Sequence, residues 1–266
     1  MTRRQWMGLL GAAPLAGAGQ TLRLRARSRK AGLVNEHELL WRTSETAIII
    51  CDMWDKMYCR NATARLGGIA VEMNRVIGAA RQLGVRIIHA PSSTMDVYAG
   101  TPQRKRMIEA RPATPPVPIA SWCYLDRKSE APLPIVDSDP CDDEVPGEKV
   151  RIYTRQNAAL EIREPDGISD SGVEMYNFFE QEGIHNLVVM GVHTNMCVLG
   201  RSFGIRQMTR LGKKVALARD LTDALYNPKQ PPYVTQRRGT ELVIEHIERY
   251  WCPSVLGSDL TRAEAA

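Results

Sequence analysis

Short apolar runs alternate with helix-patterned segments along most of the chain. The apolar runs predict buried strands and lie at 46–50, 85–89, 150–153, 187–192 and 215–218. Between them, apolar residues recur at helical spacing, as they do at 73–83, 173–179 and 243–250. Because strands alternate with helices, we expect an α/β fold. It should be a three-layer α/β/α sandwich with a mostly parallel, Rossmann-like sheet of about six strands.

A proline-rich stretch between Pro112 and Pro146 interrupts this alternation and holds eight of the sixteen prolines. The stretch is too long for an ordinary connection between a strand and a helix, and it is too polar for a core. Long loops of this kind often form lids or binding loops. We therefore expect it to shape a pocket.

The first thirty residues carry a pattern that is typical of an export signal. Residues 2–7 resemble a twin-arginine motif, a short Gly/Ala-rich apolar stretch follows at 7–19, and Ala16-Gly17-Ala18 fits an A-x-A cleavage site. We divide the chain into an export signal with a basic linker at 1–30 and a single folded domain at 31–266. This predicts an exported, periplasmic or extracellular protein. A membrane-retained anchor and a basic amphipathic start remain alternatives.

The net charge of +5 comes from the same segment, which holds seven basic residues and no acid. The rest of the chain then carries about −2, which argues against a nucleic-acid surface there. Residues 22–30 are predicted to be a solvated linker. No apolar run is long enough to span a membrane in the mature chain. With neither a membrane nor a nucleic acid indicated, the expected partner is a small-molecule substrate.

Six cysteines are present, and an oxidising compartment would allow disulfides between them. Cys123 and Cys141 flank a loop-rich stretch and are the pair that we expect to be bridged. The spacing of the cysteines and histidines matches no zinc motif.

Cys197 lies where the strand at 187–192 gives way to a helix-patterned segment that runs to Gly212. Ligands of parallel sheets bind at the carboxyl ends of strands. A helix N-terminus also favours a thiolate over a thiol, which would make Cys197 a nucleophile. Asp52 and Arg155 each follow another predicted strand, so we expect all three side chains to meet at one edge of the sheet.

Three segments of the chain resemble the isochorismatase-like cysteine hydrolases, which include nicotinamidases and N-carbamoyl amidohydrolases. They are 48–52, 154–160 and, above all, Gly191-Val192-His193-Thr194-Asn195-Met196-Cys197-Val198. The resemblance covers roughly residues 46–223. It implies a cysteine-dependent hydrolase that cleaves a C–N bond in a small amide, carbamoyl or imide-like substrate through an acyl-enzyme. It also implies no cofactor and a homo-oligomer.

The resemblance assigns a role to each member of the predicted site. Asp52 would take the thiol proton, and Cys197 would attack a carbonyl carbon. Arg155 stands where the family has a lysine and would supply the positive charge. The N–H groups of His193 and Cys197 would bind the oxyanion, if the Val192–His193 peptide bond is cis as in the family.

Further substrate contacts are predicted at His193, Asn195, His89 and Trp54. A structural hydrogen bond is an equal alternative for His89, and turn formation is one for Asn195. For Trp54, plain packing is favoured over a place in the pocket wall. Nicotinamidases hold zinc with an Asp and several His, but residues 52–55 lack the following His, so we expect no metal. A catalytically silent, exported small-molecule-binding protein and a redox role for Cys197 remain alternative functions.

Overall fold

The computed structural model describes residues 19–265, and the strands in them form one nine-stranded sheet. In chain order the strands are β1 (Gln20–Lys30), β2 (Leu33–Arg42), β3 (Thr46–Cys51), β4 (Arg86–Ala90), β5 (Gly167–Ile168), β6 (Asn186–Val192), β7 (Lys214–Asp223), β8 (Ser254–Val255) and β9 (Glu264–Ala265). The α-helices are α1 (Arg60–Gln82), α2 (Pro102–Ile108), α3 (Gly172–Glu182), α4 (Cys197–Gly200), α5 (Ile205–Arg210) and α6 (Gln236–Tyr250).

The strand order across the sheet is β2-β1-β8-β7-β6-β3-β4-β5, and β9 pairs with β1. The six strands from β3 to β8 run parallel to one another. β1 pairs antiparallel with β2, β8 and β9. The predicted α/β class and mostly parallel sheet are therefore confirmed, and three antiparallel strands extend the sheet beyond the expected number.

Both faces of the sheet are covered, as the fully apolar composition of its central strands requires. On β3, Ile48 and Ile50 pack into the core on the α1 side, whereas Ile49 packs into the core on the side of α3, α5 and α6. All three side chains are fully buried. The centre of the sheet is thus rigidly packed, and the groups at its carboxyl edge rest on it.

The prediction that residues 22–30 form a solvated linker is wrong. These residues belong to β1, where Leu22, Leu24 and Ala26 are buried while the arginines between them point to the other face. Alternation of this kind is a strand signal, and the charges of the segment concealed it. The folded unit therefore begins before residue 31. The predicted export signal at 1–18 lies outside the described residues.

Acidic partners from distant segments neutralise the arginines of β1. Arg25 pairs with Asp259, and both Arg27 and Arg29 pair with Glu248, which is buried. The basic residues of this segment are thus part of the folded structure and do not form a free basic arm.

Two predicted secondary-structure elements differ from those observed. Residues 150–153, predicted as a strand, are irregular, and the third parallel strand in chain order is the short β5 instead. The helix predicted from Cys197 to Gly212 is broken into α4 and α5, because the backbone at Arg201 is extended (φ −60°, ψ 157°).

The predicted Cys123–Cys141 bridge is also wrong. Cys141 forms a disulfide with Cys59, directly before α1, and Cys123 is a buried free thiol. The sequence could not reveal this pairing, because the path of the proline-rich stretch decides which cysteine Cys141 meets. No helix among residues 19–265 is long and apolar enough to cross a membrane.

Candidate active site

Asp52 follows the last residue of β3 and is completely buried at the carboxyl edge of the sheet. Its backbone has a φ of +48°, a region that Asp enters more readily than most residues, and its N–H donates to the carbonyl of Ala90 at 3.0 Å. Its Oδ1 atom accepts the backbone N–H of Ser92 at 2.8 Å. The carboxylate is therefore held in one orientation by the end of the neighbouring strand β4.

A glycine allows β6 to approach β3 closely at this edge. Gly191 has a φ of +106°, and a Cβ atom on it would lie 2.1 Å from the carbonyl oxygen of Cys51. A side chain at this position would push apart the two strands that carry Asp52 and the segment leading to Cys197.

Cys197 is the first residue of α4, five residues after β6 ends, and 8% of its surface is exposed. Its thiol and the Asp52 carboxyl lie close enough that each changes the pKa of the other. The predicted convergence of these two residues is therefore present in the structure.

Arg201 supplies the positive charge of the site. Its Nε atom donates to Oδ2 of Asp52 at 2.9 Å, and its side chain is 24% exposed. The extended backbone that ends α4 turns this side chain back toward β3, while the N–H of Arg201 still donates to the carbonyl of Cys197 at 3.0 Å. Charge-assisted hydrogen bonds of this kind are stronger than neutral ones.

The electrostatics of the site favour a neutral thiol beside the Asp52 carboxyl. Burial and then the charge of Asp52 raise the pKa of Cys197 well above its ordinary value, and Arg201 opposes this rise. Burial also raises the pKa of Asp52, but Arg201 and the hydrogen bonds of Cys197 and Ser92 restrain that increase. The expectation that a helix N-terminus would favour the thiolate is therefore wrong, because burial and Asp52 outweigh a helix of four residues.

The backbone beside the thiol offers hydrogen-bond donors. The Val192–His193 peptide bond is cis, as the family pattern implies. Among residues 19–265, neither the N–H of His193 nor that of Cys197 donates to a backbone oxygen, and the N–H of His193 interacts with the sulfur of Cys197. Two N–H groups that donate to no backbone oxygen and lie next to a nucleophile are what an oxyanion requires.

Arg155 does not belong to this constellation, so the prediction that it supplies the cation is wrong. Its side chain is exposed, and its backbone carbonyl accepts the N–H of Asp55 at 2.9 Å. The physical reason is that residues 150–153 form no strand that ends at the catalytic edge. The sequence carried no local signal for Arg201, because its side chain is directed by an extended backbone after Gly200 that interrupts the predicted helix.

Two of the predicted substrate contacts have structural roles. His89 is fully buried, with Nδ1 2.9 Å from Oε1 of Gln156 and Nε2 3.1 Å from Oδ2 of Asp166. Asn195 is 4% exposed and exchanges hydrogen bonds with the backbone of Leu225. Both side chains are committed to the protein itself, which corrects their predicted contact with substrate.

Trp54 and His193 line the immediate surroundings of the site. Trp54 donates from its indole N–H to the carbonyl of Ser92 and stacks on Tyr153, with 4.2 Å between the ring centroids. His193 lies 3.2 Å from the sulfur of Met57 through Nε2, and burial lowers its pKa to about 4. The imidazole is therefore neutral at pH 7. Val192 is fully buried in the core.

The proline-rich stretch closes over the catalytic edge, as its length led us to expect. Trp122 forms an isolated antiparallel bridge with Arg201, and the Arg201 guanidinium lies 5.5 Å from the centroid of its ring. A Cβ atom on Gly200 would lie 2.6 Å from this ring. The indole therefore packs directly on the backbone that presents Arg201.

One group of side chains has the composition of a metal site. Between residues 19 and 265, three potential metal ligands converge at Cys59, Cys141 and Asp143, but the two sulfurs are joined in a disulfide. Asp143 in turn accepts the backbone N–H groups of Arg60 and Asn61 at the start of α1. This cluster is committed to holding α1 and the proline-rich stretch together. That the protein uses no metal stays a prediction.

The chain belongs to the isochorismatase family, because its residues 46–233 match the isochorismatase domain. Among curated proteins, none matches the sequence. The fold is similar to that of a cysteine hydrolase from Pseudomonas syringae pv. phaseolicola 1448A, with 17% identity, a TM-score of 0.50, and coverage of 83% of this chain and 92% of that chain.

Two other solved structures are similar to the chain at lower scores. An isochorismatase from Pseudomonas putida KT2440 has 14% identity and a TM-score of 0.47, covering 81% of this chain and 90% of that chain. An isochorismatase family protein from Burkholderia thailandensis has 12% identity and a TM-score of 0.47, covering 81% and 93%. The matched domain and the fold define a hydrolase family, and they leave the substrate open.

Proposed function

We propose that the protein is a cysteine-dependent hydrolase that cleaves a C–N bond in a small amide, carbamoyl or imide-like substrate. The observation that carries this proposal is the convergence of Asp52, Cys197 and Arg201 at one edge of the sheet. The thiol supplies a nucleophile, and the buried carboxylate beside it supplies a base. The two adjacent N–H groups, which donate to no backbone oxygen among residues 19–265, supply an oxyanion site.

In the first half-reaction, the sulfur of Cys197 attacks the substrate carbonyl carbon while Asp52 takes the thiol proton. The resulting oxyanion would be bound by the N–H groups of His193 and Cys197. The C–N bond then breaks, the leaving nitrogen receives the proton from Asp52, and a thioester remains on the enzyme.

In the second half-reaction, Asp52 takes a proton from water, which attacks the thioester carbonyl. The C–S bond breaks, and the proton returns to the thiolate of Cys197. The sum is one amide and one water converted to one acid and one amine. The high pKa of the thiol suits this cycle, because the sulfur must be protonated again at its end.

Arg201 would stabilise the carboxylate form of Asp52, which is the form that can take a proton. An arginine cannot exchange its own proton at ordinary pH, so its role here is electrostatic. Within residues 19–265 only its Nε atom donates to Asp52, so its terminal nitrogens are available to donate to an oxygen of the substrate.

A screen of small amides, ureas and carbamates tests the proposal. The wild type should release amine or ammonia from at least one of them, and Cys197→Ser should lose about a thousandfold or more of that rate. Cys252→Ser changes a buried free cysteine elsewhere and should retain the rate. A thioester adduct on the peptide that contains Cys197, detected by mass spectrometry, would identify the intermediate.

A catalytically silent binding protein is the second candidate. The narrow exposure of Cys197 and the high pKa of its thiol favour it, because both slow a nucleophile. It predicts binding of a small molecule without turnover, and identical behaviour of wild type and Cys197→Ser throughout the screen.

We further propose that the protein is exported. The basic, apolar start of the sequence and the disulfide between Cys59 and Cys141 support this, since such bonds persist in oxidising compartments. Fractionation of cells that express the full chain, compared with Arg3→Lys/Arg4→Lys, tests it. Retention of the double variant in the cytoplasm is the expected result. The expected homo-oligomer stays a prediction.

A further inference from the structure

A cavity of about 700 Å³ lies between α1, the end of β7, the first half of α6 and the outer strand β1. None of its lining residues is Asp52, Cys197 or Arg201, although Asp223, which lines it, accepts the backbone N–H of Thr194 beside the catalytic edge. A volume of this size accommodates a small organic molecule.

The charges around this cavity are unequal. Six arginines and four carboxylates line it. Five of the arginines lie within 4 Å of a carboxylate, and they are Arg27, Arg29, Arg65, Arg237 and Arg238. Arg219 is the exception: among residues 19–265, no carboxylate oxygen lies within 4 Å of its guanidinium.

Arg219 also has unused hydrogen-bonding capacity. Its Nη1 atom donates to the carbonyl and hydroxyl oxygens of Ser254, at 2.9 Å and 3.3 Å. Its Nε and Nη2 atoms find no acceptor within the described part of the chain. Burial and the nearby charge of Arg27 lower the pKa of Arg219, and the more distant carboxylates of Glu248, Asp220 and Asp259 only partly offset this. A partly buried guanidinium with free donors is well suited to bind a carboxylate or a phosphate.

An irregularity of the sheet places Arg219 in the cavity. Between the pairs Val189↔Leu217 and Gly191↔Thr222, β6 advances by two residues while β7 advances by five. Arg219 lies in this bulge of β7, where the backbone departs from the regular ladder. Bulges redirect side chains and are frequent beside functional sites.

Apolar side chains complete the lining. Ile69 of α1, Ile244 of α6 and Leu256 after β8 all border the cavity. A ligand that fits would therefore combine one anionic group, for Arg219, with an apolar body. We propose that this cavity binds a small organic anion, a carboxylate or a phosphate monoester on an apolar body, through the guanidinium of Arg219.

Calorimetric titration of the full chain with benzoate, phenyl phosphate and neutral benzyl alcohol tests this proposal. One or both anions should bind saturably, and the alcohol should not. Which anion binds more tightly identifies the anionic group. No saturable binding of either anion up to about 10 mM would overturn the proposal.

Three variants locate the binding. Arg219→Gln should weaken it about tenfold or more, and Arg219→Lys should weaken it less, because lysine keeps the charge. Arg237→Gln is the matched control, since this arginine lies on the rim and is 90% exposed, and it should not change the affinity. Thermal unfolding of each variant verifies that it is folded.

The catalytic edge also holds an arginine, so Arg201→Gln distinguishes the two sites. Binding that survives Arg201→Gln and is weakened by Arg219→Gln supports the proposal. Binding that is lost in Arg201→Gln and unchanged in Arg219→Gln would place the anion at the catalytic edge and overturn it. None of these measurements requires turnover, so they stand whether or not the proposed hydrolase activity is found.

Discussion

Arg201 and Asp52 form a hydrogen-bonded ion pair with 2.9 Å between Nε and Oδ2, although 149 residues separate them in sequence. Asp52 directly follows the central strand β3, and Arg201 directly follows α4, whose first residue is Cys197. One cation thus contacts the carboxylate and also acts on the pKa of the thiol. The pair therefore links the two residues that would carry out the chemistry.

Loss of the Arg201 charge should impair turnover. We expect Arg201→Gln to lower kcat/KM by about a hundredfold or more on the best substrate of the screen, because the buried carboxylate loses its partner. Arg201→Lys should be intermediate, since it keeps the charge without the planar guanidinium. Steady-state kinetics measure both, and circular dichroism verifies folding.

Arg155→Gln is the matched control for this prediction, because Arg155 is an exposed arginine that the sequence alone had favoured for the same role. It should change kcat/KM by no more than about twofold. A large loss in Arg155→Gln together with a small one in Arg201→Gln would reverse our assignment of the cation.

The acid limb of the kcat/KM profile should reflect Asp52. Burial raises the pKa of this carboxyl, so activity should fall at a pH above the ordinary Asp pKa of about 3.9 as the base becomes protonated. Because Arg201 lowers this pKa, its removal in Arg201→Gln should move the acid limb to still higher pH. A limb that moves to lower pH would contradict the pairing.

Gly200 should tolerate no side chain. A Cβ atom there would collide with the Trp122 ring, which packs against Arg201, so Gly200→Ala should displace the ring and lower kcat/KM about tenfold or more. Gly68 on α1 is the matched control, because nothing lies within 4 Å of a Cβ atom there. Gly68→Ala should keep full activity and stabilise the protein by about 0.5–1 kcal/mol in urea unfolding.

The Cys59–Cys141 disulfide should contribute substantially to stability. It closes a loop with a sequence separation of 82, for which chain entropy predicts about 4 kcal/mol. Urea unfolding with and without dithiothreitol should reveal this difference in the wild type, and the double variant Cys59→Ala/Cys141→Ala should be insensitive to the reductant. Cys252→Ala should respond as the wild type does. Equal stability of the wild type with and without reductant would argue against the bond.

The parallel core of the fold could be predicted from the sequence. Each of its longer strands, β3, β4, β6 and β7, contains a run of apolar residues that the hydrophobic pattern identifies. β1 was missed for a different reason. Its arginines suggested a basic linker, although the buried Leu22, Leu24 and Ala26 alternate with them as in any half-buried strand. The two-residue strands β5 and β8 are too short for any pattern to indicate.

The site was predictable where it depends on strand ends and not where it depends on loops. Asp52 and Cys197 follow long strands, and both lie where the sequence indicated. The cation of the site is not the residue that the sequence indicated. Arg155 does not reach the site because the residues before it are irregular, and Arg201 could not be foreseen because the break after Gly200 is set by tertiary packing against Trp122. The pairing of Cys59 with Cys141 likewise depends on the path of the proline-rich stretch.

The pH dependence of Cys197 alkylation by iodoacetamide, followed by mass spectrometry of the peptide, tests the roles of Asp52 and Arg201 most directly, and it requires no substrate. The charge of Asp52 raises the thiol pKa and that of Arg201 lowers it. We expect Asp52→Asn to shift the alkylation profile to lower pH while turnover is lost, and Arg201→Gln to shift it to higher pH. An unchanged profile in Asp52→Asn, or faster alkylation in Arg201→Gln, would contradict the proposed site.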